Sequence, residues 1–441
     1  MTTTLQTAST DGGHVRSTDG TYPALYVLVE CNRPLEGSLR VSLRDVTHAL
    51  LGRGDDRAVS RDGSRCRLDI PDQWMSVEHA ELAYALGEWT VRDAGSRNGV
   101  IKNGERIAHA PICDGDIIEI GHTVFVFAEH EVEPPTAPAL LHTHHPELAT
   151  ELVALAKLAP SRVSVMLFGE TGTGKEVVAR AIHAASGRSG PFVAINCSAI
   201  PASLIESELF GYVKGAFTGA TDSSLGVIRA ADGGTLFLDE VAELSAAAQA
   251  SLLRVLETSE VRPLGAVQAV PVDLRTITAT HVRLATGRLR EDLVARLAGY
   301  SVEMPPLRDR RLDLGDITAA LLARLAPDAT PTLTRNAVRA LVAHEWPHNI
   351  RGLAKALETA LVLGDGSAID ASHLPPEVRA TATDLAPAKL GPRETQRRDQ
   401  LIALLREHRG NLAAVARELG KATMQIRRWA KKYRIELTDF R

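Results

Sequence analysis

The chain has 441 residues, 44% hydrophobic and 24% charged, ordinary for a soluble globular protein and enough for about three domains. Fifty basic residues against 54 acidic ones give a net charge of −4, which excludes a chain that coats nucleic acid along its whole length. Four dispersed cysteines (Cys31, Cys66, Cys113, Cys197) without a CxxC pair exclude a disulfide scaffold or cysteine zinc site, and a polar start with no long apolar run predicts a cytoplasmic protein with no signal peptide or membrane span.

Residues 23–130 are short apolar runs broken by Gly and Asp turns, such as Leu25–Glu30, Leu39–Leu43, Glu88–Val91 and Val124–Phe127. Runs of this length and spacing predict a β-sandwich. Within them stand, in order, Gly52-Arg53-Gly54, Ser76-Val77-Glu78-His79, Gly95-Ser96-Arg97-Asn98-Gly99 and Lys102-Asn103-Gly104. This set resembles the forkhead-associated (FHA) domains, β-sandwiches that bind phosphothreonine peptides from their loops. The resemblance implies that Arg53 and Ser76 bind the phosphate, that Asn98 holds the peptide backbone and that Arg97 adds a second charge. His79 is expected to buttress the loop. An arginine beside hydroxyl and amide donors suits charge-assisted hydrogen bonds to phosphate.

A proline-rich break at 131–146 reads as a linker, and its His142, His144 and His145 read as solvated residues, not metal ligands. From 147 to 376 strand-like and helical runs alternate, which predicts an α/β fold with a parallel sheet. The run Val163–Gly169 leads into Gly169-Glu170-Thr171-Gly172-Thr173-Gly174-Lys175-Glu176. This is a G-x-x-x-x-G-K loop between a strand and a helix, whose amides cradle nucleotide phosphates while the lysine supplies a point charge. Glu176 stands where most such loops carry a Ser or Thr that ligates Mg2+. The apolar strand Gly234–Asp239 ends in adjacent carboxylates, which puts Asp239 near the metal and Glu240 near an attacking water. ATP and Mg2+ are therefore the expected substrate and metal.

The sequence GETGTGKE, with its unusual Glu176, and the hexapeptide Gly215-Ala216-Phe217-Thr218-Gly219-Ala220 (GAFTGA) resemble the AAA+ domain of bacterial sigma-54-dependent transcription activators. Glycine-bounded, with one aromatic and one hydroxyl, the hexapeptide has the composition of a mobile loop tip. The resemblance implies that it contacts sigma-54 through Phe217 and Thr218. It further implies that Asn196 is the switch partner of Glu240, that Arg290 and Arg296 act as arginine fingers across a subunit boundary, and that Arg351 is a sensor arginine on a helical lid. Read without the resemblance, Arg290 and Arg296 flank Glu291 and Asp292 as in a salt-bridged surface helix. The pattern departs from the family at His281 (usually Asn), in a shortened 282–288 segment, at His348 and Gly352, and at Tyr212-Val213. Arg308 matches the family but receives no role.

After a second linker at 377–392, residues 393–441 carry thirteen basic residues against six acids, a net +7 in an otherwise acidic chain. Concentrated charge of this kind marks a nucleic-acid footprint. Asn411 as an N-cap, a short helix ending at Gly420 and a basic helix beginning near Ala422 match a helix-turn-helix, and the arrangement resembles the Fis-type domain of the same activators. Thr423, Gln425, Arg427, Arg428 and Lys431 are candidate DNA contacts, whereas Ile426 and Trp429 are expected in the core.

The expected architecture is therefore multidomain: an FHA β-sandwich, an α/β AAA+ P-loop ATPase with a helical lid, and an all-α helix-turn-helix. The resemblance implies an activator that hydrolyses ATP to remodel the sigma-54 RNA polymerase closed complex to the open one, works as a homo-oligomer (a hexamer), binds upstream promoter DNA and is gated by a phosphothreonine protein from a kinase pathway. His281 and the short segment after it keep an alternative open, a phosphopeptide-gated DNA-binding scaffold or repressor with a weak ATPase. A remodeller of another target is a third possibility.

Overall fold

The computed structural model describes residues 22–131, 135, 140–218, 220–281, 287–365, 368–380, 392–408, 410–433, 435 and 440; the side chains of 392–395, 424, 428, 431 and 432 are outside the description. The chain forms two compact units, one drawn from Met1–Glu133, Ala326–Ala343 and Leu363–Arg441, the other from Pro134–Leu325 and His344–Val362.

The first unit contains a β-sandwich of two six-stranded sheets. One sheet has the order β2 (Leu39–Ser42), β1 (Tyr22–Glu30), β12 (Thr123–His130), β11 (Ile117–Ile120), β8 (Val100–Lys102), β9 (Glu105–Ile107). The other runs β10 (His109–Ile112), β7 (Glu88–Asp93), β6 (Ala80–Ala85), β3 (His48–Arg53), β5 (Arg65–Ile70), β4 (Ala58–Asp62). Cys66, Leu68 and Ile70 alternate inward on β5, the period-2 pattern of a sheet with one wet face. They pack with Leu51, Leu82 and Val91 against Leu25, Val27, Phe125 and Phe127 of the facing sheet.

β1 and β12 do not alternate, because chain from far along the sequence covers their region. The Leu333 N–H of β20 (Thr332–Leu333) donates to the Cys31 carbonyl just past β1, and α8 (Arg335–Ala343) packs on β12. Arg339 of α8 pairs with the buried Glu119 of β11 at 2.7 Å. β21 (Ala368–Ile369) pairs with β20, and α10 (Pro376–Arg379) packs on α8. The C-terminal helices are α11 (Pro392–Glu407), α12 (Leu412–Glu418) and α13 (Thr423–Lys432). They close a small core of Leu401, Leu405, Val415, Ile426, Trp429 and Tyr433. Asn411 caps α12 by accepting from the Ala413 and Ala414 amides, and Gly420, at φ 63°, turns the chain toward α13.

The second unit is built on a five-stranded parallel sheet, order β14 (Phe192–Asn196), β15 (Thr235–Asp239), β18 (Arg275–Thr280), β13 (Val165–Phe168), β19 (Tyr300–Glu303). The central strands are almost continuously buried because both faces are covered; β13 and β15 are largely apolar, whereas β18 buries Arg275 and three threonines beside Ile277 and Ala279. Around them lie α1 (Pro146–Leu158), α2 (Lys175–Ala184), α3 (Ile205–Phe210), α4 (Val227–Ala230), α5 (Ala246–Thr258), α6 (Glu291–Leu297), α7 (Leu314–Leu325) and α9 (Asn349–Leu363), with a small hairpin of β16 (Glu260–Val261) and β17 (Val270–Pro271). Leu148, Leu152 and Leu155 of α1, at spacings of four and three, pack on Leu167 and Ile277 of the sheet. The fully buried Arg275 of β18 donates to the carbonyls of Leu158 and Ala159 where α1 ends.

The histidines expected to be solvated in the first linker require a correction. His144 is only 5% exposed, and His145 caps α1, its Nδ1 accepting from the Leu148 N–H at 3.2 Å. Only His142 is open to solvent. The anchor is Asp313, which accepts from the Thr143 hydroxyl at 2.6 Å and the His144 N–H at 2.5 Å. Contacts to a carboxylate more than 160 residues away leave no local signature. No helix of the described residues is long and apolar enough to cross a membrane.

Candidate functional site

The crossover from β13 runs to β14 at one edge of the sheet, and the crossover from its neighbour β18 runs to β19 at the other. A crevice opens at such a switch point beyond the carboxyl ends of the strands. Gly169 to Gly174 turn there from β13 into α2. Every carbonyl of the turn from Gly169 to Thr173 is occupied. Lys175 Nζ donates to Gly169 O and Glu170 O at 2.8 and 3.1 Å, Asn349 Nδ2 to Thr171 O at 3.1 Å, the Ile350 N–H to Gly172 O at 3.0 Å and Arg310 Nη2 to Thr173 O at 2.5 Å. The Gly169 and Thr173 amides donate to the carbonyls of Thr280 and Glu170, while no side chain caps the N-terminus of α2, which is left for an anion. A Cβ on Gly172 (φ 82°) would stand 2.6 Å from the His348 carbonyl, so only glycine permits this approach to the start of α9.

Three residues that sequence reasoning left without a role hold the loop. Asn349, fully buried at φ 53°, accepts from the Leu307 N–H at 2.8 Å while its amide donates to Glu170 Oε2 and Thr171 O. Arg308 makes a two-pronged pair with Glu170 at 2.6 and 3.0 Å, which holds the Glu170 carboxyl below the usual carboxylate range. Arg310 is buried, and desolvation lowers its pKa. An asparagine is among the few side chains suited to a left-handed position, but nothing local in the sequence names its distant partners. Thr173 is buried with its hydroxyl on Glu170 O. Glu176 lies outside the cradle and pairs with Arg180 at 2.7 Å.

Asp239 ends β15, in register with Asn196 at the end of β14. Burial, and then the adjacent Glu240 carboxylate, raise the Asp239 pKa, while burial lowers that of Lys175. Each is a charge in need of a counter-charge, the demand that a metal-bound polyphosphate meets, so these residues fit ATP with Mg2+ held at Asp239. Burial and the same two carboxylates push the Cys197 thiol up to about 12, which leaves it un-ionised. Glu240 is held in the left-handed region at φ 53°, a strained setting for a side chain of its size. Its carboxylate meets His281 Nδ1 at 2.6 Å and the His281 N–H at 3.3 Å. Asn196, expected as the partner of Glu240, instead accepts from the Ser198 N–H and hydroxyl through Oδ1.

A second feature of this unit is the loop between α3 and α4. Gly211 and Gly226 touch at its base: a Cβ on Gly226 would lie 2.3 Å from the Gly211 nitrogen. Tyr212 bridges to Ser224 and Leu264, and its ring meets the Phe217 ring edge-on at 5.0 Å. Gly215, Phe217 and Thr218 are exposed and Ala220 is buried, with the Gly215 N–H donating to Ala220 O. Gly219 lies outside the described residues.

In the sandwich, the end of β3 and the loops after β5 and β7 meet around the fully buried His79. His79 Nδ1 accepts from the Ser76 N–H, and Nε2 lies 3.1 Å from Gly99 O. The Arg53 N–H donates to Ser76 O, the Arg97 N–H to the Ser76 hydroxyl and Asn98 Nδ2 to Trp74 O at 2.7 Å. Exposed Arg53, Arg97 and Asn98 and half-buried Ser76 thus share one end of the sandwich.

The family model of the sigma-54 interaction domain matches residues 141–303, that of an AAA+ ATPase lid domain 308–390, and that of an FHA domain 50–121. The transcriptional regulatory protein ZraR of Escherichia coli O157:H7 is 42% identical over 362 residues, 80% of this chain and 79% of that protein. The chain belongs to the sigma-54-dependent transcriptional regulators. The acetoin catabolism regulatory protein of Cupriavidus necator is 40% identical over 328 residues, 70% of this chain and 49% of its own. Against several such relatives the chain spans only 49–64% of their length. The crystal structure of NtrX from Brucella abortus in complex with ADP aligns at 30% identity over 67% of this chain and 70% of its own, with a TM-score of 0.50.

Arg290 and Arg296 are both exposed. Arg290 pairs with Asp292 at 2.8 Å, the surface ion pair that the sequence also allowed. Arg351 is exposed, its Cβ 3.1 Å from where a Cβ on Gly172 would lie, so the structure sets it beside the phosphate loop. Of the shortened segment, 282–286 lie outside the described residues. On α13, Arg427 is exposed, Thr423 and Gln425 are half-buried, and the side chains of Arg428 and Lys431 are not described.

Asn349→Ala would strand the buried Leu307 N–H, a loss of about 1–3 kcal/mol; titration with a fluorescent ATP analogue should register affinity weaker by about tenfold. Arg308→Ala should weaken binding less, because its pair is partly in water. Since the Glu170 pKa is depressed, the pair's contribution is complete above the ordinary carboxylate range and is lost as pH falls through the depressed value. The affinity gap between Arg308→Ala and wild type should therefore persist into mildly acidic solution, and a gap that closes near neutrality would contradict the assignment.

Proposed function

We propose that this regulator binds a phosphothreonine protein at the sandwich loops, grips upstream promoter DNA through α12 and α13, and hydrolyses ATP to drive its GAFTGA loop against sigma-54, converting closed polymerase complexes to open ones. The observation that carries the reading is the glycine-rich loop, carbonyls engaged and lysine in place, with an acid pair at the end of β15 in the same sheet, in the unit that also exposes Phe217 and Thr218. The ADP complex of the NtrX relative supports nucleotide binding here.

Lys175 and the loop amides bind the β- and γ-phosphates, and Arg351 reaches the nucleotide from α9. Mg2+ at Asp239 would neutralise charge on the phosphates. Glu240 orients a water molecule, whose oxygen attacks the γ-phosphorus as the bond to the β-phosphate oxygen breaks; the water's proton passes to Glu240, and ADP and phosphate leave. His281 holds Glu240 in its strained setting, the part expected of Asn196 at the sequence level. Arg290, released from Asp292, and Arg296 act on the γ-phosphate of a neighbouring subunit, so the working form is a ring, a hexamer by the family pattern. Arginines in this role contribute roughly 10³–10⁵ in rate. In the sandwich, Arg53 and Ser76 hold the phosphate, Arg97 adds charge and Asn98 binds the peptide backbone. Thr423, Gln425, Arg427, Arg428 and Lys431 meet DNA. A cytoplasmic location accords with these partners.

The alternative scaffold or repressor reading rests on the replacement of the sensor residue by His281. The 2.6 Å contact of that histidine with Glu240 supports a working substitute.

The test is ATP-dependent open-complex formation by sigma-54 holoenzyme with the regulator and its phosphopeptide supplied. Opening that requires hydrolysable ATP is expected; neither opening nor turnover would favour the scaffold. Glu240→Gln should bind ATP without turnover. Thr218→Ala should keep turnover and lose opening, and retained opening would remove the loop assignment. His281→Ala should lower kcat about tenfold or more, through misplacement of Glu240, with the KM for ATP little changed and partial recovery in His281→Gln; a change in KM alone would point to binding. Calorimetry with a phosphothreonine peptide should record loss of binding in Arg53→Ala.

A further inference from the structure

The strap at 142–145 precedes the helix that opens the second unit, and no part of the proposed activity uses it. Asp313, just ahead of α7, holds the Thr143 hydroxyl and the His144 N–H. The strap is thereby fixed against α7, and three residues further on Asp316 presents one carboxylate oxygen to two imidazoles. Its Oδ2 lies 3.1 Å from His142 Nδ1 and 3.1 Å from His144 Nε2. The two rings meet edge-on with centroids 4.6 Å apart. The three ligand atoms all lie within 4.8 Å of one another.

We propose that His142, His144 and Asp316 form a binding site for a first-row transition dication of the zinc class. Two imidazoles and a carboxylate are the borderline donor set that such ions select, whereas Mg2+ and Ca2+ take oxygen. Around a tetrahedral ion with bonds of ~2.0–2.1 Å, neighbouring ligand atoms lie about 3.3 Å apart. Both nitrogen–oxygen separations here are already close to that. His144 is nearly buried and its backbone is locked by Asp313, so a buried arm of the site is in place before an ion arrives. His142 is two-thirds exposed, which gives an entry path and leaves a coordination position open to water. Among the described residues this is the one such cluster.

The site also has a route to the nucleotide pocket. Asp313 lies 3.9 Å from Arg310, and Arg310 donates to the Thr173 carbonyl of the phosphate loop. An ion at the strap would clasp the segment ahead of α1 to α7, one ion pair and one hydrogen bond away from that loop.

The full-length chain without a histidine tag, stripped with chelator, is titrated with Zn2+ by calorimetry and with Co2+ by visible absorption. One equivalent per chain is expected, with a cobalt ligand-field band, no thiolate charge-transfer band, and displacement of cobalt by zinc. His142→Ala, which removes an exposed ring and leaves the fold intact, and Asp316→Asn should each weaken Zn2+ binding by about tenfold or more. His109→Ala, an exposed histidine elsewhere, should bind as wild type does. Absence of stoichiometric binding, or unchanged affinity in both His142→Ala and Asp316→Asn, would overturn the proposal and leave the trio as a hydrogen-bonded contact.

Discussion

The second unit depends on the hold that Arg308, Arg310 and Asn349 keep on the phosphate loop. A glycine-rich turn has many backbone conformations, and only those with the amides facing inward can cradle phosphate. Occupying the carbonyls from outside selects that set: Asn349 takes Thr171, the start of α9 takes Gly172, and Arg310 takes Thr173. The hold also fixes where α9 begins, which sets Arg351 beside the loop. The loop and Arg351 are positioned by the same hydrogen bonds, so a change in the loop bears on the start of α9.

Charge is distributed to suit this arrangement. Burial disfavours the charged forms of both Lys175 and Asp239, lowering the pKa of one and raising that of the other, a demand that the proposed nucleotide and its metal would meet. The Glu240 carboxylate is kept off ordinary backbone geometry and supported by His281. A residue that departs from the family pattern therefore fills a structural need in this chain, with an imidazole on the carboxylate of a strained glutamate.

The parts of the site that were legible in the sequence are those whose chemistry is local. A strand followed by G-x-x-x-x-G-K, an apolar strand ending in Asp239-Glu240, and a hexapeptide bounded by glycine each carry their meaning within eight residues or fewer. The alternation on β5 and the 3–4 spacing on α1 are legible for the same reason. Arg308 and Asn349 were read only as members of a matching stretch, because their partners on the loop lie more than 130 residues away. The histidines at 142–145 were misread for that reason too: a polar, proline-flanked run has linker composition, and nothing nearby announces that Asp313 and Asp316 will meet it. The continuous burial of β1 and β12 likewise depends on residues 326–343, about 300 positions beyond β1 and about 200 beyond β12.

By itself, then, the sequence determined the classes of element, the order of the sandwich and the α/β domain, and where the glycine-rich loop and the acid pair fall between them, since these follow from periodicity, turn chemistry and short-range spacing. The tertiary structure alone decided which groups hold those residues in place: His281 on Glu240, Arg308 and Asn349 on the loop, Asp313 under the histidine strap, and Arg339 on Glu119. Such pairings join charges and hydrogen-bonding groups brought together by packing. A one-dimensional pattern records that a polar group is present but not which distant partner will satisfy it once both are buried.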